Sequence, residues 1–377
     1  IGIGADVVKV ESPAGDDTRA WGPPFIEREG DRTAAYFYAA NRGKTSVVAD
    51  FSTPEGQDIV HGLVADADIV IENFKVGGLA RYGLAYEDLQ PLNPRLLYLS
   101  ISAFGQDGPR AAEAGYDAII QGMGGLMSIT GPADDEPGAG PQKVGVAVSD
   151  LMCGMYAVAA ILAGLQERHA SGQGQYIDLS LLDSQVAWLA NQAMNYLVTG
   201  KPPGRRGTGH PNIVPYQAFA TSDGHLMLAV GNDAQFRRMC ELIGQADWGR
   251  DPRYSSNQQR VSNRQELVAR LAAVLRLKST AEWESSLTGA GVPCGPINDI
   301  GQVLSDPQVL HRKLRIDLPH PVAGTAPGIR TPVNFSRTPL SCERAPPMLG
   351  ADTDSVLRSL GLGDDELEQL RASGVVR

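Results

Sequence analysis

Cysteine is scarce in this chain of 377 residues: Cys153, Cys240, Cys294 and Cys342 stand far apart and form no Cys-x-x-Cys pair. That spacing argues against zinc ribbons and a disulfide framework, and fits a reducing cytoplasm. The six histidines (His61, His169, His210, His225, His311, His320) show no metal-ligand spacing, so no metal is expected. Positive charge is also short. A net charge of -10 argues against nucleic-acid binding, which wants a basic face. Long hydrophobic runs are missing too: the longest, residues 151–165, is too short to span a bilayer and reads as a buried helix. Two nucleotide motifs are incomplete. Arg42-Gly-Lys-Thr45 resembles the tail of a P-loop, but Tyr38 stands where that loop needs glycine. Gly2-Ile-Gly4 lacks the third glycine of a dinucleotide fingerprint and precedes a strand instead of following one.

What is present fits a soluble enzyme of two or three domains, with 42% hydrophobic and 20% charged residues. The chain opens on Ile-Gly-Ile-Gly-Ala-Asp, without methionine, and runs straight into strand-like sequence, so no signal peptide is expected. Strands are expected at Asp6–Glu11, Thr45–Asp50, Ala67–Glu72, Arg95–Ile101 and Gln175–Ser180, with a helix opened by Thr53-Pro54-Glu55. Continuous apolar strands between amphipathic helices indicate an α/β domain, a doubly wound parallel sheet covered on both faces. In such sheets ligands bind beyond the carboxyl ends of strands, where Asn73, Phe74, Ser102, Phe104 and Gly105 fall.

The remaining pattern sets the domain limits. A large domain is expected over 1–198, ending in a long helix to about Leu197. A Gly, Pro and Arg-rich linker follows at 199–214, then a smaller α+β domain at 215–305 with a strand pair around the Ser222-Asp-Gly224 turn. A second linker, 306–330, leads back to the large domain at 331–377.

Asp150 closes the stretch Pro141–Asp150 and stands directly before the apolar run, where an Asp caps a helix. It also ends an ordered series. Lys9-Val-Glu-Ser-Pro-Ala-Gly-Asp-Asp-Thr-Arg19 is followed by Asn41-Arg-Gly-Lys-Thr-Ser46 and Asp68-Ile-Val-Ile-Glu-Asn-Phe74. Ser102-Ala-Phe-Gly-Gln-Asp-Gly-Pro109, Gly115-Tyr-Asp117, Gly124-Gly125 and Asp150 complete it. Together these motifs resemble the family III coenzyme A transferases, the CaiB–BaiF class, from residue 1 to residue 377.

The resemblance implies that Asp150 is a nucleophile, carrying first an acyl group as a mixed anhydride and then CoA as a thioester. It places Asn73, Phe74 and Arg81 near the coenzyme, with Arg81 as a phosphate partner; packing and a solvated helix charge are the plain roles of Phe74 and Arg81. Tyr116 separates this branch from the α-methylacyl-CoA racemases, which carry His at that place. Racemisation needs an acid and a base at the α-carbon, and a tyrosine, titrating near 10, replaces that base poorly. Asp117 matches an acidic position near the acyl group, or caps the 118–128 segment. Gly122-Met-Gly-Gly125 lets the backbone approach a thioester or makes a tight bend.

The Gly207–Phe219 and Gly231–Phe236 stretches look like the subgroup that exchanges CoA between dicarboxylates, with succinyl-CoA as donor. Arg205, Arg206 and His210 are then candidates for the distal carboxylate. CoA is implied as a substrate rather than a permanently bound cofactor, and the assembly as an interlocked, cytoplasmic homodimer with no membrane partner. Members of the family usually begin earlier, with a strand and helix, and this sequence starts where that segment ends. A racemase-type isomerase and an inactive CoA-binding paralogue are the alternatives.

Overall fold

The computed structural model describes residues 4–28, 31–340 and 344–377. Cys342 and the residues before Gly4 lie outside the described residues. The chain forms two compact units, one of Ile1–Ala114, Met155–Leu179 and Ile300–Arg377, the other of Gly115–Gly154 and Ser180–Asp299.

The first unit is mixed α/β with open sheets. Val8–Glu11 runs parallel to Thr45–Val48, with Val8 opposite Thr45 and Glu11 opposite Val48. Ile69–Glu72 runs parallel to Leu97–Ser102, and Gln175–Ser180 completes that three-stranded sheet. Leu97 and Leu99 are fully buried and Tyr98 nearly so, as expected of a strand covered on both faces. The helix Pro54–Ala65 starts as its sequence implies, with the Thr53 hydroxyl accepting from the Gly56 N–H and Pro54 in the first turn. Gly56 has no alternative, because a Cβ there would lie 2.0 Å from the Asp50 carbonyl oxygen. Ala49 and Ile59 pack with Leu357, Leu367 and Val376, so the C-terminal helices Thr353–Ser359 and Asp364–Ala372 close this core. Residues 306–330, read from sequence as a linker, contain a short helix, Pro307–His311, and an antiparallel hairpin of Arg315–His320 and Gly324–Ile329.

In the second unit, Tyr216–Ala220, His225–Ala229 and Cys294–Pro296 form an antiparallel sheet. The helices Asp233–Leu242, Arg264–Leu275 and Thr280–Gly289 pack on it around Leu226, Leu228, Phe236, Leu271 and Trp283. Arg260 is fully buried in this core. It is tolerated because its guanidinium donates to the carbonyls of Val214 and Tyr254 and to the Asp233 carboxylate.

Three local expectations differ from the structure. The helix bearing Asp150 starts at Val148 and runs to Ser171, so Asp150 lies inside its first turn and is not the cap. That helix is not buried either: Leu151, Met155 and Leu162 are 59%, 63% and 52% exposed in the single chain. Its 24 residues are, by length and composition alone, enough to cross a membrane. Lastly, the long helix expected to reach Leu197 is broken into Leu181–Ala187 and Ala190–Thr199, with Ala190 at φ +46°. A residue with a Cβ resists that left-handed conformation, so composition alone did not signal the break.

Candidate active site

Asp150 follows directly on a small polar network of the second unit that ends at Ser149. The helix Asp117–Met123 supplies its centre. Asp117 Oδ1 accepts from the Ser149 backbone N–H at 2.8 Å, and Oδ2 accepts from Gln121 Nε2 at 2.7 Å. Gln121, fully buried, also accepts from the Val144 N–H at 2.8 Å through Oε1. Asp117 therefore caps the first turn of the Val148–Ser171 helix from a different helix, which explains why that helix starts before Asp150. Ser149 Oγ donates to Gln185 Oε1 at 2.8 Å. Gln185 is buried, and its Nε2 has no partner among the described residues.

Asp150 itself is exposed, and its carboxylate accepts no hydrogen bond among the described residues. Surrounding protein partly desolvates it and the Asp117 charge adds repulsion, so its pKa lies above the ordinary carboxylate value. The helix dipole works in the opposite direction, favouring negative charge in the first turn. An unpaired carboxylate of raised basicity, on a rigid helix end, is suited to attack on a carbonyl.

The other expected residues fall in several places. Tyr116 is the residue preceding the Asp117 helix; it is exposed and makes no side-chain cap bond. Gly125 takes φ +85°, a turn that favours glycine, while a Cβ on Gly124 would lie 2.5 Å from Gln185 Cγ. In the first unit, Phe74 and Arg81 line a cavity of about 620 Å³ with Phe51, Lys75, Tyr82 and Ser12. Phe51 meets Phe74 and Tyr82 edge-on, with ring centroids 5.8 and 5.4 Å apart, and the Arg81 guanidinium lies 4.5 Å from the Tyr82 ring. This cavity follows the carboxyl ends of Thr45–Val48 and Ile69–Glu72. Asn73 is exposed next to it but does not line it, and neither do Ser102, Phe104 and Gly105. Ser102 Oγ instead accepts from the Gly105 N–H at 2.9 Å, closing a turn.

The basic loop of the second unit is already partly engaged. Arg205 pairs with Asp134 and donates to the Pro132 carbonyl. His210 stacks on Tyr216, and its Nδ1 accepts from the Asn212 N–H at 3.1 Å. The Arg206 side chain is exposed and makes no hydrogen bond or ion pair among the described residues.

The sequence profile of CoA-transferase family III matches residues 2–353. The chain belongs to CoA-transferase family III. A succinate–glutarate CoA-transferase of Agrobacterium fabrum is 52% identical over 362 residues, covering 95% of this chain and 89% of that protein. A succinyl-CoA:glutarate CoA-transferase of Mus musculus is 43% identical over 376 residues, covering 99% and 84%. The crystal structure of a CaiB/BaiF family protein from Brucella suis aligns with a TM-score of 0.84 at 49% identity, covering 95% of this chain and 93% of that one. The enzyme is thus a CoA-transferase, and CoA thioesters are its substrates.

For a CoA-transferase, the residues that sequence reasoning missed are Gln121, Ser149 and Gln185, which hold the start of the Asp150 helix. Gln121 carried one signal: it stands four residues after Asp117, on the same helical face. Phe51 and Tyr82, the aromatic walls of the first unit's cavity, carried none.

Proposed function

We propose that this CoA-transferase moves CoA from succinyl-CoA to a dicarboxylic acid, with Asp150 as the covalent carrier. The unpaired, exposed carboxylate of Asp150 at a helix start carries this reading, and the dicarboxylate specificity follows the names of its relatives. An Asp150 carboxylate oxygen attacks the thioester carbonyl and expels CoA thiolate, leaving a mixed anhydride. The thiolate attacks the Asp150 acyl carbon, releasing succinate and leaving an aspartyl-CoA thioester. The acceptor carboxylate attacks that thioester carbon, again expelling thiolate and forming a second anhydride. Thiolate attack on the acceptor's acyl carbon releases the new acyl-CoA and the free Asp150 carboxylate. Asp117 and Tyr116 flank this chemistry, Asp117 by fixing the helix start and raising the basicity of Asp150.

The aromatic cavity at Phe74 and Arg81 is suited to the coenzyme: Phe51, Phe74 and Tyr82 offer faces for adenine, and Lys75 and Arg81 offer cations for phosphate. Asn73, Ser102, Phe104 and Gly105, at neighbouring strand ends, complete the coenzyme-binding set. The fold proposed is a Rossmann-like large domain with a smaller inserted domain, assembled as an interlocked homodimer in the cytoplasm. Exposed Leu151, Met155 and Leu162 support self-association, since a contiguous apolar helix face is costly in water.

The test is Asp150→Ala. The variant should lose CoA exchange between succinyl-CoA and glutarate while keeping its thermal midpoint, because the side chain has no structural partner. Full activity in that variant would refute the covalent route.

A further inference from the structure

In the first unit's cavity, Arg81 and Tyr82 are carried by a single short helical turn, Ala80–Tyr82. The segment around it is a run of backbone-closed turns. The Gly78, Ala80, Tyr82 and Gly83 N–H groups donate to the carbonyls of Lys75, Gly77, Leu79 and Ala80. Leu79 and Leu84, on either side of the turn, are buried in one cluster with Val64 and Tyr98. The turn closes at Gly83, which takes φ +66°. So tight a turn has strained hydrogen-bond geometry and few bonds of its own, and its side chains need support from outside.

Two side chains that do not line the cavity supply that support. His61 Nε2 lies 2.9 Å from the Gly83 carbonyl oxygen. A carbonyl accepts and never donates, so Nε2 carries the proton. The Tyr98 hydroxyl donates to the next carbonyl, that of Leu84, at 3.0 Å. Both donors stand on well-anchored elements. His61 belongs to the helix Pro54–Ala65, which buries Ile59 against Leu357 and Leu367 and Val64 against Leu79 and Leu84. Tyr98 lies within the strand Leu97–Ser102. The Tyr98 bond is buried and belongs to the core, whereas the His61 bond is only partly buried. A Cβ on Gly83 would lie 3.8 Å from His61 Nε2, so the imidazole rests against the turn itself.

We propose that His61 is a positioning residue for the coenzyme: its Nε2–H fixes the Gly83 carbonyl and thereby sets Arg81 and Tyr82 to receive a CoA thioester. It rests on the reading of this cavity as the coenzyme site and adds a residue that acts on that site from outside. Without the bond the turn samples other arrangements, and binding must then order it at a cost in affinity. His61 touches neither CoA nor the reacting bond, so its effect falls on binding and not on the chemical step.

His61→Phe keeps a ring and removes the donor, His61→Ala removes both, and His61→Gln keeps an N–H. CoA is titrated calorimetrically into wild type, these variants, Arg81→Gln and the double variant His61→Phe/Arg81→Gln. Steady-state rates are measured in parallel with succinyl-CoA and glutarate. Loss of one hydrogen bond should raise the Kd for CoA and the KM for succinyl-CoA by about fivefold in His61→Phe and His61→Ala. The kcat and the KM for glutarate should stay in place, and His61→Gln should recover most of the loss. In the Arg81→Gln background the His61 change should add much less, because both act through one turn. Unchanged CoA binding in both donor-less variants, with weaker binding in Arg81→Gln, overturns the positioning role and leaves the cavity as the coenzyme site. A lowered thermal midpoint with intact CoA binding assigns His61 to stability alone and overturns it too, as does a full His61 effect in the Arg81→Gln background. Unchanged CoA binding in Arg81→Gln refutes the coenzyme reading of the cavity, and the positioning role falls with it.

Discussion

Asp117 Oδ1 accepts a hydrogen bond from the Ser149 backbone N–H at 2.8 Å, so the carboxylate of one helix caps the helix that presents Asp150. The same carboxylate is the charge that helps raise Asp150. Asp117→Asn removes the charge while its amide oxygen still accepts from Ser149, at the cost of the bond from Gln121 Nε2, which an amide NH2 cannot accept. Asp150 then ionises at lower pH, and the acid limb of the kcat/KM profile for succinyl-CoA moves to lower pH. Asp117→Ala removes the cap as well and costs about 1 kcal/mol of stability. An acid limb that stays in place in Asp117→Asn would separate Asp117 from the titration of Asp150.

Gly124 lies where only a hydrogen fits. A Cβ there would meet Gln185 Cγ at 2.5 Å and the Ile120 carbonyl oxygen at 2.8 Å. Gly124→Ala should therefore cost about 1–3 kcal/mol, as overpacking does. It should also lower kcat, because Gln185 receives the Ser149 hydroxyl beside Asp150. Thermal melting and steady-state rates check both parts, and an undisturbed melting curve would mean that the contact relaxes freely.

The cavity of the first unit makes a separate prediction. Phe74→Ala and Arg81→Gln should each raise KM for succinyl-CoA by about tenfold, with kcat changed far less, since these groups bind without touching the reacting bond. A fall in kcat at constant KM would assign them another role.

Asp16 links stability to pH. Burial pushes its carboxyl up, but the 2.5 Å pairing with Lys9 and the bonds from Thr18 outweigh this and hold it at about 2. Its folded value lies below the unfolded one of about 4, so its stabilisation is fully present above that pH. That contribution, at most about 2 kcal/mol, disappears as pH falls toward 2. Urea titrations of wild type and Asp16→Asn should differ at pH 7, still differ at pH 3, and converge only as pH falls to about 2.

Several features could be read directly from the sequence. The parallel strands around Val47, Ile71 and Leu99, the Thr53 cap and the turn at Ser222-Asp-Gly224 are local, and local propensity decides them. The motif series ending in Asp150 points to the family because the order of weak signals is itself specific. The polar network was not legible, since Gln121, Ser149 and Gln185 come from three segments that only the folded chain brings together. Asp117 shows the limit well: it reads as a cap for its own helix, yet it caps another. Arg205 and Arg206 are neighbours of the same type, and only the folded loop separates the one engaged by Asp134 from the one left open.

The central claim is that Asp150 carries the acyl group and then CoA. Intact-mass spectrometry after brief incubation with succinyl-CoA tests it most directly. A mass gain matching a succinyl or CoA adduct, released by hydroxylamine, mapped to the peptide holding Asp150 and absent in Asp150→Ala, is the predicted result. CoA transfer to glutarate without any adduct on that peptide would contradict it.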